Sequence, residues 1–316
     1  MPNILATPRF WQKKAVVLKV EAAYATDPVP TGAANWFEAR NVSLTSFEAE
    51  TVDRNIDTPY LGSSGKVIAA KWSKLSFEVA LAGSGVVATA PKWGPMMLGC
   101  GYAETVTATT GPAVYNLVST AFGSVTAYME VDGVLYKFIG SRGNVKVKIT
   151  AKGIPVLMVE LTSLYTAPAA GAIAGIVKTG WTYEDAVNSV NTGKVTLNAV
   201  DLAFSTLEWD TGNQISRINL PGPQLEVAIT DRTPTASVTV LAPTLAVFDP
   251  YAMATAGTAV TLTNTHGVGV GKQLKTDLKV TVTGVSESEV DGMLAYQLTL
   301  APTPVTGNDE ITLTNL

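Results

Sequence analysis

The fold class is decided by residues 41–81, NVSLTSFEAETVDRNIDTPYLGSSGKVIAAKWSKLSFEVAL. The two ends of this stretch, residues 41–50 and 72–81, alternate apolar and polar side chains, as strands with one buried face do. Residues 51–66 between them are polar and contain one proline and two glycines, which favour a loop. We therefore predict a long hairpin over residues 41–81 with an extended polar loop at its tip.

The composition around this hairpin favours a mainly β protein. The chain has 316 residues, enough for two domains. Threonine, alanine and valine are its commonest residues, and its 27 glycines and 17 prolines favour short strands and turns over helices. Charged residues make up only 15%, compared with about 25% in an average soluble protein. Such a surface suits a chain that is largely covered by partners.

The same composition argues against several functional classes. A single cysteine, Cys100, excludes intramolecular disulfides and cysteine-based metal sites, and a single histidine, His266, leaves one possible base for a catalytic triad. The net charge of −4 argues against a nucleic-acid groove binder. No apolar run reaches the ~18 residues of a membrane helix, and residues 1–10 lack the apolar core of a secretory signal. We expect no catalytic residue, no metal and no cofactor.

A short helix is predicted over residues 90–103, APKWGPMMLGCGYA. Pro91 suits its first turn, and glycines 99 and 101 can end it. Trp93, Met96 and Met97 then form an apolar set with two interpretations. The set packs into the core, or it forms an exposed contact with another subunit, where Met and Trp are enriched.

Two glycine-rich segments resemble nucleotide-binding loops only in part. Residues 83–88, GSGVVA, fit the dinucleotide pattern, but no helix begins on their glycines, so we predict a loop before the short helix. Residues 266–273, HGVGVGKQ, lack the serine or threonine that follows the lysine of a phosphate loop, so we predict a hairpin turn. His266 is then expected to be a solvated loop residue.

The second half of the chain repeats the plan of the first half. Four segments of the second half correspond, in the same order, to segments of the first. Residues 199–210 correspond to 41–53, residues 244–257 to the short helix, residues 278–284 to 145–153, and residues 296–304 to 159–168. The alternative is that any two all-β halves look alike. We predict an internal duplication with two β-sandwich domains, each with a short helix, over residues 1–165 and 181–316, joined by an Ala/Gly/Pro-rich linker at 166–180.

Residues 14–36 and 39–106 resemble a known family. The order of ETVDR…PYLG, FEVALAGSG and TAPKWGPMMLGCG is similar to that in the major tail proteins, or tail tube proteins, of long-tailed bacteriophages, including Mu-like siphophages. The resemblance covers roughly the first 165 residues, and the second half matches only as a second copy of the same plan.

The resemblance implies an architecture and a role. The inner sheets of such domains join around a ring into a β-barrel with a wide lumen, and stacked rings form the tube through which DNA passes into the host. Single-domain members form hexamers, so two domains per chain imply three chains per ring with pseudo-six-fold symmetry. The implied partners are further copies of the chain, a tape measure protein in the lumen, tail terminator and tail-tip proteins, and double-stranded DNA in transit. The implied location is the virion tail, assembled in the host cytoplasm, with no membrane partner.

The resemblance also assigns candidate residues. The hairpin tip is the expected contact between rings, through Asp53, Arg54, Asp57, Tyr60 and Leu61. The short helix offers subunit-interface candidates Trp93, Met96 and Met97. The lumen candidates are the carboxylates Glu48, Glu50, Asp201 and Glu208, which would repel DNA phosphates, whereas Lys71 and Lys74 count against an acidic wall.

Two other functions remain open. One is a related assembly protein, such as a tail-tip or baseplate ring or the inner tube of a contractile injection machine, which has the same fold. The other is a carbohydrate-binding or hydrolytic β-sandwich, which needs exposed aromatic residues and paired carboxylates in one cleft.

Overall fold

The computed structural model describes residues 8–109, 111–178 and 181–316. The first seven residues of the first predicted domain, which were expected to form an N-terminal arm, and the last two residues of the predicted linker therefore lie outside the described residues. As predicted, the protein is mainly β. The described residues contain three short helices, α1 Gly32–Asn35, α2 Gly94–Gly99 and α3 Pro250–Ala256.

The strands are numbered along the chain. In the first half they are β1 Lys14–Val20, β2 Ala39–Asp53, β3 Lys66–Ala80, β4 Tyr102–Val106, β5 Ala113–Leu117, β6 Val125–Val131, β7 Val134–Thr150, β8 Val156–Leu164 and β9 Ala169–Ala170. In the second half they are β10 Val195–Leu197, β11 Val200–Leu202, β12 Phe204–Asp210, β13 Asn213–Leu220, β14 Gln224–Arg232, β15 Thr235–Leu241, β16 Val260–His266, β17 Leu274–Val290, β18 Met293–Pro302 and β19 Ile311–Asn315.

The predicted long hairpin is present as β2 and β3. The two strands pair from Ala39 opposite Val79 to Asp53 opposite Lys66, and residues 54–65 connect them. The alternation seen in the sequence becomes a buried and an exposed side, because successive residues of a strand point to opposite faces. The hairpin prediction is therefore confirmed, including its long polar tip.

An antiparallel sheet of eight strands runs through both halves of the chain. Its order is β2-β3-β8-β7-β12-β15-β18-β17. One face is apolar and packs into the core, whereas the other carries polar side chains. In β7, for example, Val147 and Ile149 are buried, and Lys146 and Lys148 on the opposite face are partly exposed.

A second layer covers the apolar face. In the first half it contains β1, β6, the first part of β7, and β9. Over the second half it contains β11, β10, β16, the first part of β17 and β19. The strands β5 and β4 of the first half extend this sheet beyond β19. Within the described residues the sheets are open, and none of them closes into a barrel. A continuous apolar core lies between the layers.

The strand pairings of the two halves correspond. β7 and β17 each have 17 residues and change partners along their length, from β6 to β8 and from β16 to β18. β3 pairs with β8 as β15 pairs with β18, and β2 precedes β3 as β12 precedes β15. The sequence match of 278–284 with 145–153 is not the structural one. Residues 278–280 still pair with β16, whereas residues 145–148 already pair with β8.

The halves are interlocked along the chain. β5 of the first half pairs with β19 of the second, and β9 forms inside the predicted linker. Residues just after the linker pack on the first half, where Thr182 Oγ1 donates to the Ser84 carbonyl at 2.9 Å and Lys152 N–H donates to the Val187 carbonyl at 2.8 Å. The second half therefore begins its own sheet only at β10.

The helix α2 is shorter than the predicted 90–103 and is buried. Trp93 and Met96 are 1% exposed and Met97 is fully buried, and Trp93 Nε1 donates to the Ala82 carbonyl at 2.7 Å. Such side chains cannot touch another subunit without unfolding the core. The prediction of a subunit contact through Trp93, Met96 and Met97 is therefore wrong, and the core interpretation holds.

A second hairpin, formed by β13 and β14, was not recognised in the sequence. It begins where β12 bends at Gly212, which has a φ of 64° and whose Cβ, if present, would lie 2.0 Å from the Thr233 carbonyl oxygen. Only glycine fits this bend. The sequence signal was Pro221-Gly222 between two short alternating runs, which is typical of a hairpin turn.

The guanidinium of Arg142 attaches this second hairpin to the first half. Its Nη1 donates to Glu226 Oε1 at 2.6 Å and to the Val227 carbonyl at 2.9 Å. Its Nε and Nη2 donate to the carbonyls of Gly123 and Phe122, both at 3.1 Å. With 8% of its surface exposed, Arg142 satisfies four acceptors that water reaches poorly.

Replacing Arg142 with methionine should destabilise the protein by about 2–4 kcal/mol, because the buried Val227 carbonyl and three partly buried acceptors lose a charged donor. The free energy of unfolding, measured by urea denaturation, checks this. Arg54→Met, in the exposed hairpin tip, is the matched control and should stay within about 0.5 kcal/mol of the parent. A loss below about 1 kcal/mol for Arg142→Met would show that the hairpin does not depend on this contact.

Candidate functional site

The junction between the halves is a strand seam in the eight-stranded sheet. β7 pairs with β12 from Thr150 opposite Thr206 to Lys146 opposite Asp210. On the polar face, Glu208 Oε1 lies 2.6 Å from Lys148 Nζ and Glu208 Oε2 lies 3.4 Å from Lys146 Nζ. Partial burial alone would raise the pKa of Glu208, but the hydrogen bonds and charges of the two lysines outweigh it and lower this pKa.

The two ends of this sheet are open edges. Among the described residues, β2 forms a ladder only with β3, and residues 282–290 of β17 form one only with β18. Open edges expose unpaired N–H and C=O groups that can pair with another strand. β2 corresponds to β12, and β17 corresponds to β7. The unpaired edges are therefore the same two kinds that meet in the internal seam.

The predicted lumen residues Glu48 and Glu50 lie on the first hairpin and are ion-paired. Glu48 contacts Lys74 at 2.9 Å and Arg217 at 3.3 Å, and Glu50 contacts Arg217 at 3.3 Å. The hydrogen bond from Lys74 is the main cause that lowers the pKa of Glu48. Lys74 is therefore neutralised on this face, whereas Lys71 points to the opposite side of the strand and lies over the ring of Tyr165 at 4.8 Å.

Asp201 and Glu208, the two lumen candidates of the second half, lie on different strands. Asp201 belongs to β11, which pairs with β10 in the second layer, and its Oδ1 accepts from Thr196 Oγ1 at 2.7 Å. The strand is interrupted at Ala203, which lies between β11 and β12. Glu208 therefore shares the polar face with Glu48, but Asp201 does not.

The predicted inter-ring residues all lie at the exposed tip of the first hairpin. Tyr60 is 82% exposed, and Leu61 protrudes fully into solvent. Asp53 forms an exposed ion pair with Lys66 at 3.4 Å, and Arg54 N–H donates to the Gly65 carbonyl at 3.2 Å, which closes the base of the loop. Asp57 is also exposed. The tip thus exposes the large side chains of Tyr60 and Leu61 to solvent.

The two glycine-rich segments are loops, as predicted, and they contact each other. Gly85 N–H donates to the Gly271 carbonyl, and Gly271 N–H donates to the carbonyl of Leu316. Residues 267–273 connect β16 to β17. Because neither segment begins a helix, neither supplies the converging N–H groups that bind phosphate.

His266 is buried, so its assignment as a solvated loop residue was wrong. It is the last residue of β16, is 3% exposed, and its Nδ1 lies 2.8 Å from Thr192 Oγ1. Burial lowers the pKa of His266, and the nearby Asp185 only partly offsets this. The imidazole is therefore neutral at pH 7.

The protein should lose stability as the pH falls below about 6.5, the ordinary pKa of histidine. In this range the unfolded chain takes up a proton on His266 before the folded chain does, so unfolding becomes easier. Urea unfolding at pH 7.5 and pH 5.5 measures the loss. His266→Gln should show a smaller loss between the two pH values. An equal loss in both proteins would assign the effect to carboxylates instead.

Comparisons with protein-family models and with curated proteins find no match for this chain. In the described residues, no group of three or more His, Cys, Asp and Glu side chains is placed to hold a metal ion. No helix in the described part of the chain is long and apolar enough to cross a membrane.

Proposed function

We propose that this protein is a structural component of a bacteriophage tail, and that it polymerises into stacked rings that form the tube for genome delivery. The carrying observation is the pair of complementary open edges on the eight-stranded sheet. The resemblance of residues 14–36 and 39–106 to tail tube proteins supports the same role.

The pairing of β7 with β12 within one chain is the basis for the proposed contact between chains. Within one chain, the outer edge of the first four strands (β7) pairs with the leading edge of the next four (β12). The same geometry between chains pairs β17 of one copy with β2 of the next. Such a contact is heterologous, so it continues around an axis until the ring closes.

Three chains per ring follow from treating the two halves as duplicated domains. Three copies supply six four-stranded units, joined alternately by internal and intermolecular seams. The second layer is not repeated so regularly, because β4 and β5 occur only in the first half and pair with β19 of the second. We therefore expect six-fold pseudosymmetry in the inner sheet and only three-fold symmetry in the outer layer.

The polar face of the sheet would form the inner wall. It combines the hydroxyl side chains of Ser76, Thr162 and Thr206 with the carboxylate of Glu208, which is paired to Lys146 and Lys148. Paired charges hold few phosphates, because binding to DNA draws on unpaired cations. A tape measure protein during assembly and DNA during ejection are the proposed occupants of the bore, and tail terminator and tail-tip proteins the proposed partners at its ends.

Negative-stain electron microscopy of the purified protein tests the proposal. Long hollow tubes or stacked rings are the expected result. Single rings that do not stack at any concentration would favour a tail-tip or baseplate ring. A protein that stays monomeric at high concentration would contradict the proposal.

Replacing Glu208 with glutamine should make the tubes retain DNA. The substitution leaves Lys146 and Lys148 without their shared carboxylate on the polar face. Each unpaired cation in the bore adds a salt-sensitive phosphate contact. Sedimentation of assembled tubes with a short duplex at low salt measures this, and parental tubes should retain little DNA. Tight retention by parental tubes would contradict an inner wall of paired charges.

A further inference from the structure

The first hairpin has two faces beyond the sandwich, and only one is covered within the chain. Arg217 of β13 bridges Glu48 and Glu50 on the covered face, and Asn219 Nδ2 donates to the Ala69 carbonyl at 3.3 Å. Beneath these contacts, Ala70, Trp72 and Val227 form a small apolar cluster separate from the main core. The second hairpin is thus laid on one side of the first.

The other side of the first hairpin, its far face, is open. Strand alternation places Ala49 and Thr51 of β2 opposite to Glu48 and Glu50. On β3, Ile68 pairs with Thr51, and Lys71 lies on the same side. Phe47 belongs to this side as well, because both Phe47 and Lys71 contact the ring of Tyr165. The far face is therefore Phe47, Ala49, Thr51, Ile68 and Lys71.

This far face is apolar for a solvent-exposed surface. Ile68 is 54% exposed and Phe47 is 47% exposed. Phe47 makes an edge contact with the ring of Tyr165.

The second hairpin also has an open outer face. Arg217, Asn219 and Val227 point toward the first half, so alternation turns their neighbours outward. Ser216 pairs with Ala228, and Ile218 and Leu220 follow on the same side. Leu220 is 60% exposed. The outer face is therefore Ser216, Ile218, Leu220, Gln224, Glu226 and Ala228, and Arg142 contacts it at one edge through Glu226.

We propose that the far face of the first hairpin docks on the outer face of the second hairpin of a neighbouring copy of this chain. This inference rests on the proposed head-to-tail assembly. When β17 pairs with β2 of the next copy, the first hairpin of that copy comes to lie beside the second hairpin of this copy. The arrangement is analogous to the one within a chain, where the second hairpin lies beside the first. The intramolecular stack of hairpins then continues around the ring, and the exposed Ile68 and Leu220 are covered.

The proposed contact divides the first hairpin into two functional parts. Its strands bind sideways to the neighbour in the same ring, and only residues 54–65 remain free to reach the next ring. Substitutions on the far face should therefore impair ring formation, whereas changes in the tip should impair stacking.

Engineered cysteines test the contact directly, because the single native thiol, Cys100, is fully buried. Ser216→Cys is combined in turn with Ala49→Cys, Thr51→Cys or Ile68→Cys, and the assembled proteins are oxidised. We expect at least one pair to give covalent dimers and trimers on a non-reducing gel. The matched control, Thr51→Cys with Thr299→Cys on the polar face of the sheet, should stay monomeric.

Electron microscopy of the same samples separates the two possible failures. Rings without cross-links in any of the three pairs would overturn this contact and leave the proposed tube function standing. Samples without rings would overturn the assembly itself, and the contact with it. Cross-links in the control as well would show random collision and also count against the contact.

A second measurement does not depend on the geometry of a disulfide. Ile68→Lys should raise the protein concentration needed for assembly by about tenfold or more, since a buried Ile side chain becomes a charge. Ile154→Lys, at another exposed isoleucine (40% exposed), is the control and should leave that concentration unchanged. An unchanged value for Ile68→Lys would contradict the contact.

Discussion

Single prolines at Ser286, Glu287 and Ser288 should separate into two groups, one that unfolds more easily and one that folds normally but forms no rings. Successive residues of an antiparallel strand direct their N–H groups alternately to the two neighbouring strands. In this part of β17 one neighbouring strand is β18, and within the described residues no second strand pairs with it. Proline removes one N–H donor, so its effect depends on the side to which that N–H points.

At the positions whose N–H faces β18, we expect a loss of about 1–3 kcal/mol in the free energy of unfolding, because a ladder hydrogen bond is lost. At the alternate positions the folded monomer should be retained, but rings should be absent, since the edge can no longer pair with β2 of the next chain. Thermal unfolding and light scattering after size exclusion measure the two properties separately. Ser286→Thr, which keeps the N–H, is the matched control and should assemble.

Rings formed normally by all three proline variants would show that this edge is not an interface. The same conclusion would follow if assembly were lost only where folding is lost.

Deleting residues 57–64 from the hairpin tip should leave a folded protein that cannot form tubes. These residues are exposed and lie beyond the last pair of the hairpin, Asp53 opposite Lys66, so their removal costs little folding energy. Loops of this length without secondary structure usually serve a function. Electron microscopy and thermal unfolding of the deletion variant measure assembly and stability.

A variant in which residues 57–64 are replaced by glycine and serine at the same length shows whether assembly needs only the length of the tip or also its side chains. If Tyr60 and Leu61 make the contact between rings, this variant should fail as the deletion does. Normal tubes from the deletion would refute the assignment of the tip.

The local elements were predictable because each depends on a pattern of a few neighbouring residues. Alternation and a polar stretch predicted the hairpin of residues 41–81, and it is present as β2 and β3. The helix was placed correctly but its partners were not. An apolar triplet on a short helix looks the same whether it faces the core or a subunit, and only the packing of α2 shows that Trp93 and Met96 are buried.

The long-range pairings were not predictable from such patterns. Alternation states which face a residue takes but not which strand edges meet, so the seam between β7 and β12 had no sequence signal. The hairpin of β13 and β14 depends on a bend at Gly212 and on a buried arginine, Arg142, 70 residues earlier in the chain. Asp201 and Glu208 were both predicted to line the lumen, because no proline or glycine marks the interruption at Ala203 that separates their strands.

A cryo-electron microscopy cross-section of the assembled tube tests the central claim most directly. We predict three chains per ring, with β17 of each chain hydrogen-bonded to β2 of the next, so that the eight-stranded sheets form one continuous wall. The polar face should line the bore, and the outer layer should show three-fold symmetry only. Six equivalent chains per ring, or rings in which β2 and β17 remain unpaired, would contradict the account.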